Sequence, residues 1–139
     1  ETAALALGNI GAVPTLIEVL KDKNVLVREN AALALGSVDK EAAVPAVSTL
    51  IEALKDDSSL VRNNATYALG RVGDATAVRA LMEVLKDPNE KVRWNAVWAL
   101  GKMGDKATPA VPDLTALLND KNEKVRSAAA EAIKKIRNE

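Results

Sequence analysis

The sequence contains no histidine, no cysteine and no phenylalanine, and it has only two tryptophans and one tyrosine. Without cysteine the chain can form neither disulfides nor thiolate metal sites, and without histidine it has no imidazole for proton transfer or metal binding. Ser-His-Asp and Cys-His catalytic centres are therefore excluded. We expect a protein that is not an enzyme and that needs no cofactor.

The chain also has no excess of positive or negative charge. Nineteen basic and nineteen acidic side chains give a formal net charge of zero at pH 7, so no overall field attracts nucleic acid or an anionic membrane. No apolar run approaches the roughly 20 residues that a membrane span requires. We therefore expect no membrane partner, disfavour a nucleic-acid partner, and predict a cytoplasmic location.

Small and aliphatic residues dominate what remains. Hydrophobic residues make up 48% of the chain, but aromatic residues only 2%, and the rest are almost all Ala, Leu, Val and Ile. This composition favours closely packed helices over sheets with aromatic cores. The sequence predicts an all-α fold.

Fixed internal spacings reveal a repeated unit. An aspartate precedes an arginine by six residues in the pairs Asp22 and Arg28, Asp56 and Arg62, Asp87 and Arg93, and Asp120 and Arg126. A valine stands nine residues before each aspartate, at Val13, Val47, Val78 and Val111. The spacing between units varies, whereas the spacing inside them does not. Each unit is therefore predicted to be a rigid pair of helices, A and B, joined to the next unit by an adjustable loop.

Helix B has recognisable boundaries and a core face. The residue four before each arginine is a good N-cap, and these residues are Asn24, Ser58, Asn89 and Asn122. Gly73 and Gly104 are predicted to end their helices in the left-handed conformation. In the segment "VRWNAVWALG" and just beyond it, helical spacing predicts a buried stripe at Val92, Ala96, Ala99, Leu100 and Met103. Trp94 and Trp98 lie outside this stripe.

Together, the Asp-six-Arg spacing and the tripeptide Ala-Leu-Gly at residues 34–36, 68–70 and 99–101 resemble HEAT-like repeats of the phycobilisome-lyase type. The resemblance covers essentially the whole chain. It implies a right-handed α-solenoid of about four helical hairpins after a partial N-terminal helix. It further implies that the second helices line a concave surface that holds a protein partner.

The repeat boundaries predict one domain, 1–139, with a partial helix B at 1–10 and repeats at 11–38, 39–73, 74–104 and 105–139. The last repeat resembles a terminal cap, because Lys134 replaces the expected glycine. The first residues look like the end of an interrupted repeat. Leu5, Leu7, Ile10 and Leu16 are then expected to lack a covering neighbour, which favours association through this end.

Aligned outward positions of helix B suggest the binding surface. The position of Trp98 is occupied in other repeats by Leu33, Tyr67 and Glu131, and that of Trp94 by Glu29, Asn63 and Ser127. Neighbouring helices lie about 8–10 Å apart, so equivalent positions form rows of touching side chains. We predict a partner-binding strip with an asparagine row beside it, formed by Asn30, Leu33, Asn64, Tyr67, Arg71, Trp94, Asn95, Trp98 and Lys102. Its basic edge lies at Arg71, Lys102 and Lys135.

Structural interpretations of the same residues remain open. Trp94 and Trp98 could lie over the aliphatic stems of Lys or Arg rather than bind a partner. The asparagine row could form a hydrogen-bond ladder between repeats. The Asp and Arg ladder is interpreted as structural, because it would tie successive turns together.

Two other functions also remain open. The resemblance allows a bilin lyase-like subunit or chaperone that holds a tetrapyrrole or a phycobiliprotein. Tyr67, Trp94 and Trp98 would then flank the pigment, with Arg71 and Lys102 on its propionates. Aromatic side chains could also stack on nucleic-acid bases, although the zero net charge argues against this.

Overall fold

Helical segments follow one another along the chain in this computed structural model, which describes the helical backbone from Thr2 onwards and the side chains of residues 11–139. The α-helices are α1 (Thr2–Val19), α2 (Val25–Leu35), α3 (Lys40–Ala43), α4 (Val47–Ala53), α5 (Ser59–Val72), α6 (Val78–Val84), α7 (Glu90–Met103), α8 (Val111–Ala116) and α9 (Glu123–Arg137). Short 3₁₀ segments complete them at Val44–Ala46, Ala75–Ala77, Gly104–Ala110 and Leu117–Asn119. The all-α prediction is confirmed for this part of the chain.

The elements group into two compact units, Glu1–Val72 and Gly73–Glu139. The first contains α1–α5 and the second α6–α9. The sequence predicts a single domain of repeats, and the division between the units lies one residue before the predicted repeat boundary after residue 73. The helix B segments of the repeats are α2 and α5 in the first unit and α7 and α9 in the second.

Each helix B begins at the predicted cap. The side chain of Asn24 accepts a hydrogen bond from the backbone N–H of Leu26 at 2.8 Å, and that of Asn89 accepts one from Lys91 at 2.8 Å. Ser58 and Asn122 cap α5 and α9 in the same way. The repeated aspartate adds a second bond, since its carboxylate accepts the backbone N–H of the cap residue at all four turns. The aspartate and the cap thus define the tight turn between helices A and B.

Two helices end as the sequence predicts. Gly73 has a φ of +70° and Gly104 a φ of +63°, a region that residues with a Cβ rarely adopt. Gly73 follows α5, and Gly104 follows α7. The chain can therefore turn directly from each helix B into the next 3₁₀ segment.

The predicted boundary near residue 10 differs from the structure. Helix α1 runs without interruption through Thr2–Val19 and includes Pro14. Only five residues separate Gly8 from Val13, against eight to eleven at the equivalent places in later repeats. This spacing leaves no room for the turn and 3₁₀ segment that join the later helices. The side chains of Leu5, Leu7 and Ile10 lie outside the described residues, and Leu16 is half-buried.

Leucines from both helices of the hairpins form the core of each unit. Leu35, Leu50 and Leu69 are fully buried in the first unit, and Leu81, Leu100 and Leu114 are fully buried in the second. The stripe predicted for α7, which contains Leu100, is buried at every position. Its helical spacing was therefore a reliable signal of the core face.

Among the described residues, no helix combines the length and the apolar character that crossing a lipid bilayer requires.

Candidate partner-binding groove

The arginine and aspartate ladder ties neighbouring turns together inside each unit. In the first unit, Arg28 Nε donates to Asp56 at 2.8 Å. In the second unit, Arg93 makes two bonds to Asp120, from Nε at 3.0 Å and from Nη2 at 3.1 Å. Its Nη1 also donates to the backbone carbonyl of Asp87 at 2.9 Å. These contacts confirm the structural interpretation of the ladder at both pairs, so these side chains are excluded from the candidate site.

The pKa of Asp120 reflects this position. Burial has the largest single effect and would raise the pKa of its carboxyl, but the hydrogen bonds from Arg93 and from the backbone N–H of Asn122, with the positive charges of Arg93 and Lys121, together hold the pKa below its ordinary value. The same balance, with Arg28 and Ser58 as donors, lowers the pKa of Asp56. Both carboxyls are therefore ionised at neutral pH.

A groove of about 570 Å³ lies between α7 and α9 in the second unit. Trp94 and Trp98 form its wall on α7. The wall on α9 and the floor are formed by Val97, Gly101, Glu123, Lys124, Ser127, Ala128, Glu131, Ala132 and Lys135. The volume lies within the range of small-ligand clefts, about 300–1,000 Å³.

Small residues bring the two helices together at one end of this groove. A Cβ placed on Gly101 would lie 3.0 Å from the Cβ of Ala132 and 3.1 Å from its Cα. A larger residue at position 101 would push α9 away, so glycine permits the close approach. No aromatic residue of α9 lines the groove opposite the two indole rings.

The two tryptophans differ in exposure. Trp94 is 41% exposed, which is high for such a large apolar side chain. Trp98 is half-buried, and Lys102 Nζ lies 5.2 Å from its ring centroid. This is a cation–π distance, so the expected packing of lysine over tryptophan exists at Trp98. Of the two tryptophans, Trp94 is the more exposed.

Equivalent positions of the last two repeats line the same groove. Ser127 and Glu131 stand on α9 where Trp94 and Trp98 stand on α7, as the alignment predicts. Of the residues on α9, the predicted strip includes Lys135 alone, at its basic edge. Membership of the same alignment rows is the signal that could have found Ser127, Ala128 and Glu131. Glu123 and Lys124 precede the aligned positions of α9, so the comparison of the repeats could not have identified them.

The first unit exposes its own apolar side chains on helix B. Leu33 on α2 is 54% exposed and Tyr67 on α5 is 42% exposed. The Tyr67 ring lies against the backbone of α2, since a Cβ on Gly36 would lie 3.0 Å from its Cδ1. Asn30 is exposed on the same helix. These residues agree with the outward positions expected from the sequence.

Two predicted site residues of the first unit bind backbone carbonyls instead of facing solvent freely. Asn64 Nδ2 donates to the carbonyl of Glu29 at 3.1 Å. This bond is of the kind expected if the asparagine row forms a hydrogen-bond ladder between repeats. Arg71 Nη1 donates to the carbonyls of Gly36 and Val38, beyond the last residues of α2. In the second unit Asn95 is half-buried and Lys102 is exposed.

The family model for HEAT repeats matches residues 1–51 and 47–134. No curated protein matches the chain. A designed armadillo repeat protein in complex with the peptide (KR)4 has a TM-score of 0.79 and 25% identity, with 91% of this chain and 64% of that chain covered.

Two natural proteins share the fold with lower TM-scores. Human deoxyhypusine hydroxylase has a TM-score of 0.71 and 30% identity, covering 91% of this chain and 44% of that chain. The CpcE and CpcF complex of phycocyanin lyase from Nostoc sp. has a TM-score of 0.64 and 24% identity, covering 89% of this chain and 64% of that chain. This chain thus spans less than two thirds of the length of each of these structures. With its helical hairpins and its family match, the protein is an α-solenoid that belongs to the HEAT repeat family.

Proposed function

We propose that the protein is a non-enzymatic scaffold that holds a protein partner on the outward faces of its helix B segments. One observation carries the proposal: the only two tryptophans of the chain line an open groove, not the core. Large aromatic side chains dominate the binding energy of protein interfaces. Exposed apolar surface rimmed by polar residues is also typical of interaction sites.

The remaining predicted residues take different parts in this function. Leu33 and Tyr67 offer apolar contacts in the first unit, with Asn30 beside Leu33 on α2. Asn64 and Arg71 hold neighbouring helices in place through the backbone carbonyls that they bind. In the second unit, Asn95 and Lys102 flank the tryptophans on α7. The partner is a protein segment, in keeping with the peptide bound by the designed armadillo repeat protein.

The tetrapyrrole alternative has weaker support. Its structural basis is the likeness to phycocyanin lyase, at 24% identity. Arg71 was the predicted partner of a propionate, but its Nη1 already donates to two backbone carbonyls. These hydrogen bonds hold the guanidinium at the end of α2 and leave only its remaining N–H groups for a propionate. A peptide in the α7–α9 groove does not involve Arg71.

Selection from a phage-displayed library of random 12-residue peptides tests the proposal. Peptides enriched on the intact protein should lose at least about 30-fold in affinity for the double variant Trp94→Ala/Trp98→Ala, because truncating aromatic anchors typically costs 2 kcal/mol or more. The matched control is Leu118→Ala, which removes an exposed apolar side chain that does not line the groove.

Circular dichroism shows whether each variant keeps its helices. Peptides that bind the intact protein and the folded double variant equally well would contradict the proposal. So would a selection without enriched peptides.

A further inference from the structure

Two lysines border the end of the α7–α9 groove at Gly101. Lys135 lines the groove, and its Cδ would lie 3.9 Å from a Cβ on Gly101. Lys102, the residue after Gly101, holds its Nζ 5.2 Å from the Trp98 ring centroid. Both lysine side chains therefore lie at the Gly101 end of the groove, and that of Lys102 lies over Trp98.

The two acidic side chains of the groove are each next to a positive charge or a helix N-terminus, whereas neither lysine is paired with a carboxylate of the described residues. Glu131 pairs with Lys134 at 4.0 Å, and Glu123 lies in the first turn of α9, where the helix dipole favours a negative charge. Among residues 11–139, neither Lys102 nor Lys135 forms an ion pair with a carboxylate. An unpaired cation beside an aromatic face is suited to bind the carboxylate of an apolar ligand.

The helix dipole alone does not explain the position of these cations. Lys102 lies in the last turn of α7, and Lys134, Lys135 and Arg137 lie in the last turn of α9. A cation anywhere in these turns interacts favourably with the helix C-terminus. Of the three on α9, only Lys135 lines the groove. Arg137 therefore provides a control, because it lies at the same helix C-terminus but does not line the groove.

We propose that the groove binds an extended, acidic peptide segment. An apolar side chain of the segment lies against Trp94 and Trp98, and a carboxylate lies between Lys102 and Lys135. This inference rests on the proposed function, because it specifies the chemistry of the peptide that the scaffold holds. Complementary charge then selects among partners, since a basic segment would place like charges at this end.

The dimensions of the groove fix the pattern of the peptide. Trp98 and Lys102 are one helical turn apart, about 6 Å at a rise of 1.5 Å per residue. An extended chain advances about 3.3 Å per residue, so the acidic residue lies about two positions from the apolar anchor. The α9 wall, from Glu123 to Lys135, is about 18 Å long, which accommodates five or six extended residues.

The net charge of peptides selected from the random 12-residue library tests the inference. Pools enriched on the intact protein should gain Asp and Glu relative to the starting library, about two positions from a Leu, Ile or aromatic residue. Pools enriched on the double variant Lys102→Glu/Lys135→Glu should instead gain Lys and Arg. A pool from the intact protein with neutral or positive net charge would overturn the inference.

Titration of the most enriched peptide separates this inference from the proposed function. Lys135→Glu should raise the dissociation constant of the peptide about tenfold or more, whereas Arg137→Glu should change it less than about twofold. If both reversals have the same effect, the acidic specificity is wrong. The scaffold function still holds in that case, provided that Trp94→Ala/Trp98→Ala removes binding. If the tryptophan variant binds as tightly as the intact protein, both proposals fail.

Discussion

Leu100→Ala should lower the free energy of unfolding by about 2–5 kcal/mol, because a fully buried leucine leaves a cavity when it is truncated. Leu100 has no exposed surface and lies on the core face of α7. Equilibrium unfolding in urea measures the change through the shift of the midpoint. A loss below about 1 kcal/mol would mean that the helix can close the cavity.

Trp94→Ala is the matched substitution on the opposite face of the same helix. Because 41% of Trp94 is exposed, its removal should change the free energy of unfolding by no more than about 1 kcal/mol. Trp98→Ala should fall between the two, since its ring is half-buried and packs under Lys102. If Trp94→Ala destabilises the protein as strongly as Leu100→Ala, the indole belongs to the core and the groove is not a binding site.

Asp120→Ala should cost about 3–5 kcal/mol, the range for removing one partner of a buried ion pair. The side chains of Arg93 and Asp120 are only 6% and 8% exposed, so the truncation leaves a buried guanidinium without its counter-charge. Asp56→Ala should cost less, because Arg28 is 18% exposed. Asp105→Ala provides the control, since this carboxylate is exposed in the same unit. Its removal should change the free energy of unfolding by less than about 0.5 kcal/mol.

The cost of Asp120→Ala should depend on pH. Burial opposes the charge of Asp120 most strongly, but the hydrogen bonds from Arg93 and Asn122 and the nearby positive charges together outweigh it and lower the pKa in the folded protein. Such a carboxyl stabilises the folded state fully above its unfolded pKa, and the contribution is lost as the pH falls through the folded pKa. The difference in the free energy of unfolding between Asp120→Ala and the intact protein should therefore be largest at pH 7 and should decrease in strong acid. A difference that does not change with pH would point to lost packing contacts instead.

Features that depend on local spacing could be predicted from the sequence. Asn24 and Asn89 cap their helices because a cap needs only a side-chain oxygen two or three residues before a free N–H. Gly73 and Gly104 end helices because only glycine adopts their backbone angles at low cost. The core stripe with Leu100 follows from helical periodicity alone.

Features that depend on which helices meet could not be predicted. The groove exists because Gly101 lets α9 approach α7 while Ser127 and Ala128 leave space opposite the tryptophans. Arg71 was expected at the basic edge of a binding strip, yet it binds the carbonyls beyond α2. Its residue type is compatible with both roles, and only the position of its neighbours decides between them.

Acrylamide quenching of tryptophan fluorescence tests the scaffold function most directly, because both tryptophans of the chain line the groove and no others contribute. In the free protein the fluorescence should be readily quenched through the exposed Trp94 ring. Saturation with a peptide selected on the intact protein should reduce the quenching constant at least about twofold, as the peptide covers the indoles. An unchanged quenching constant at full peptide occupancy would contradict binding in the groove, and weak quenching in the free protein would show that the groove is closed.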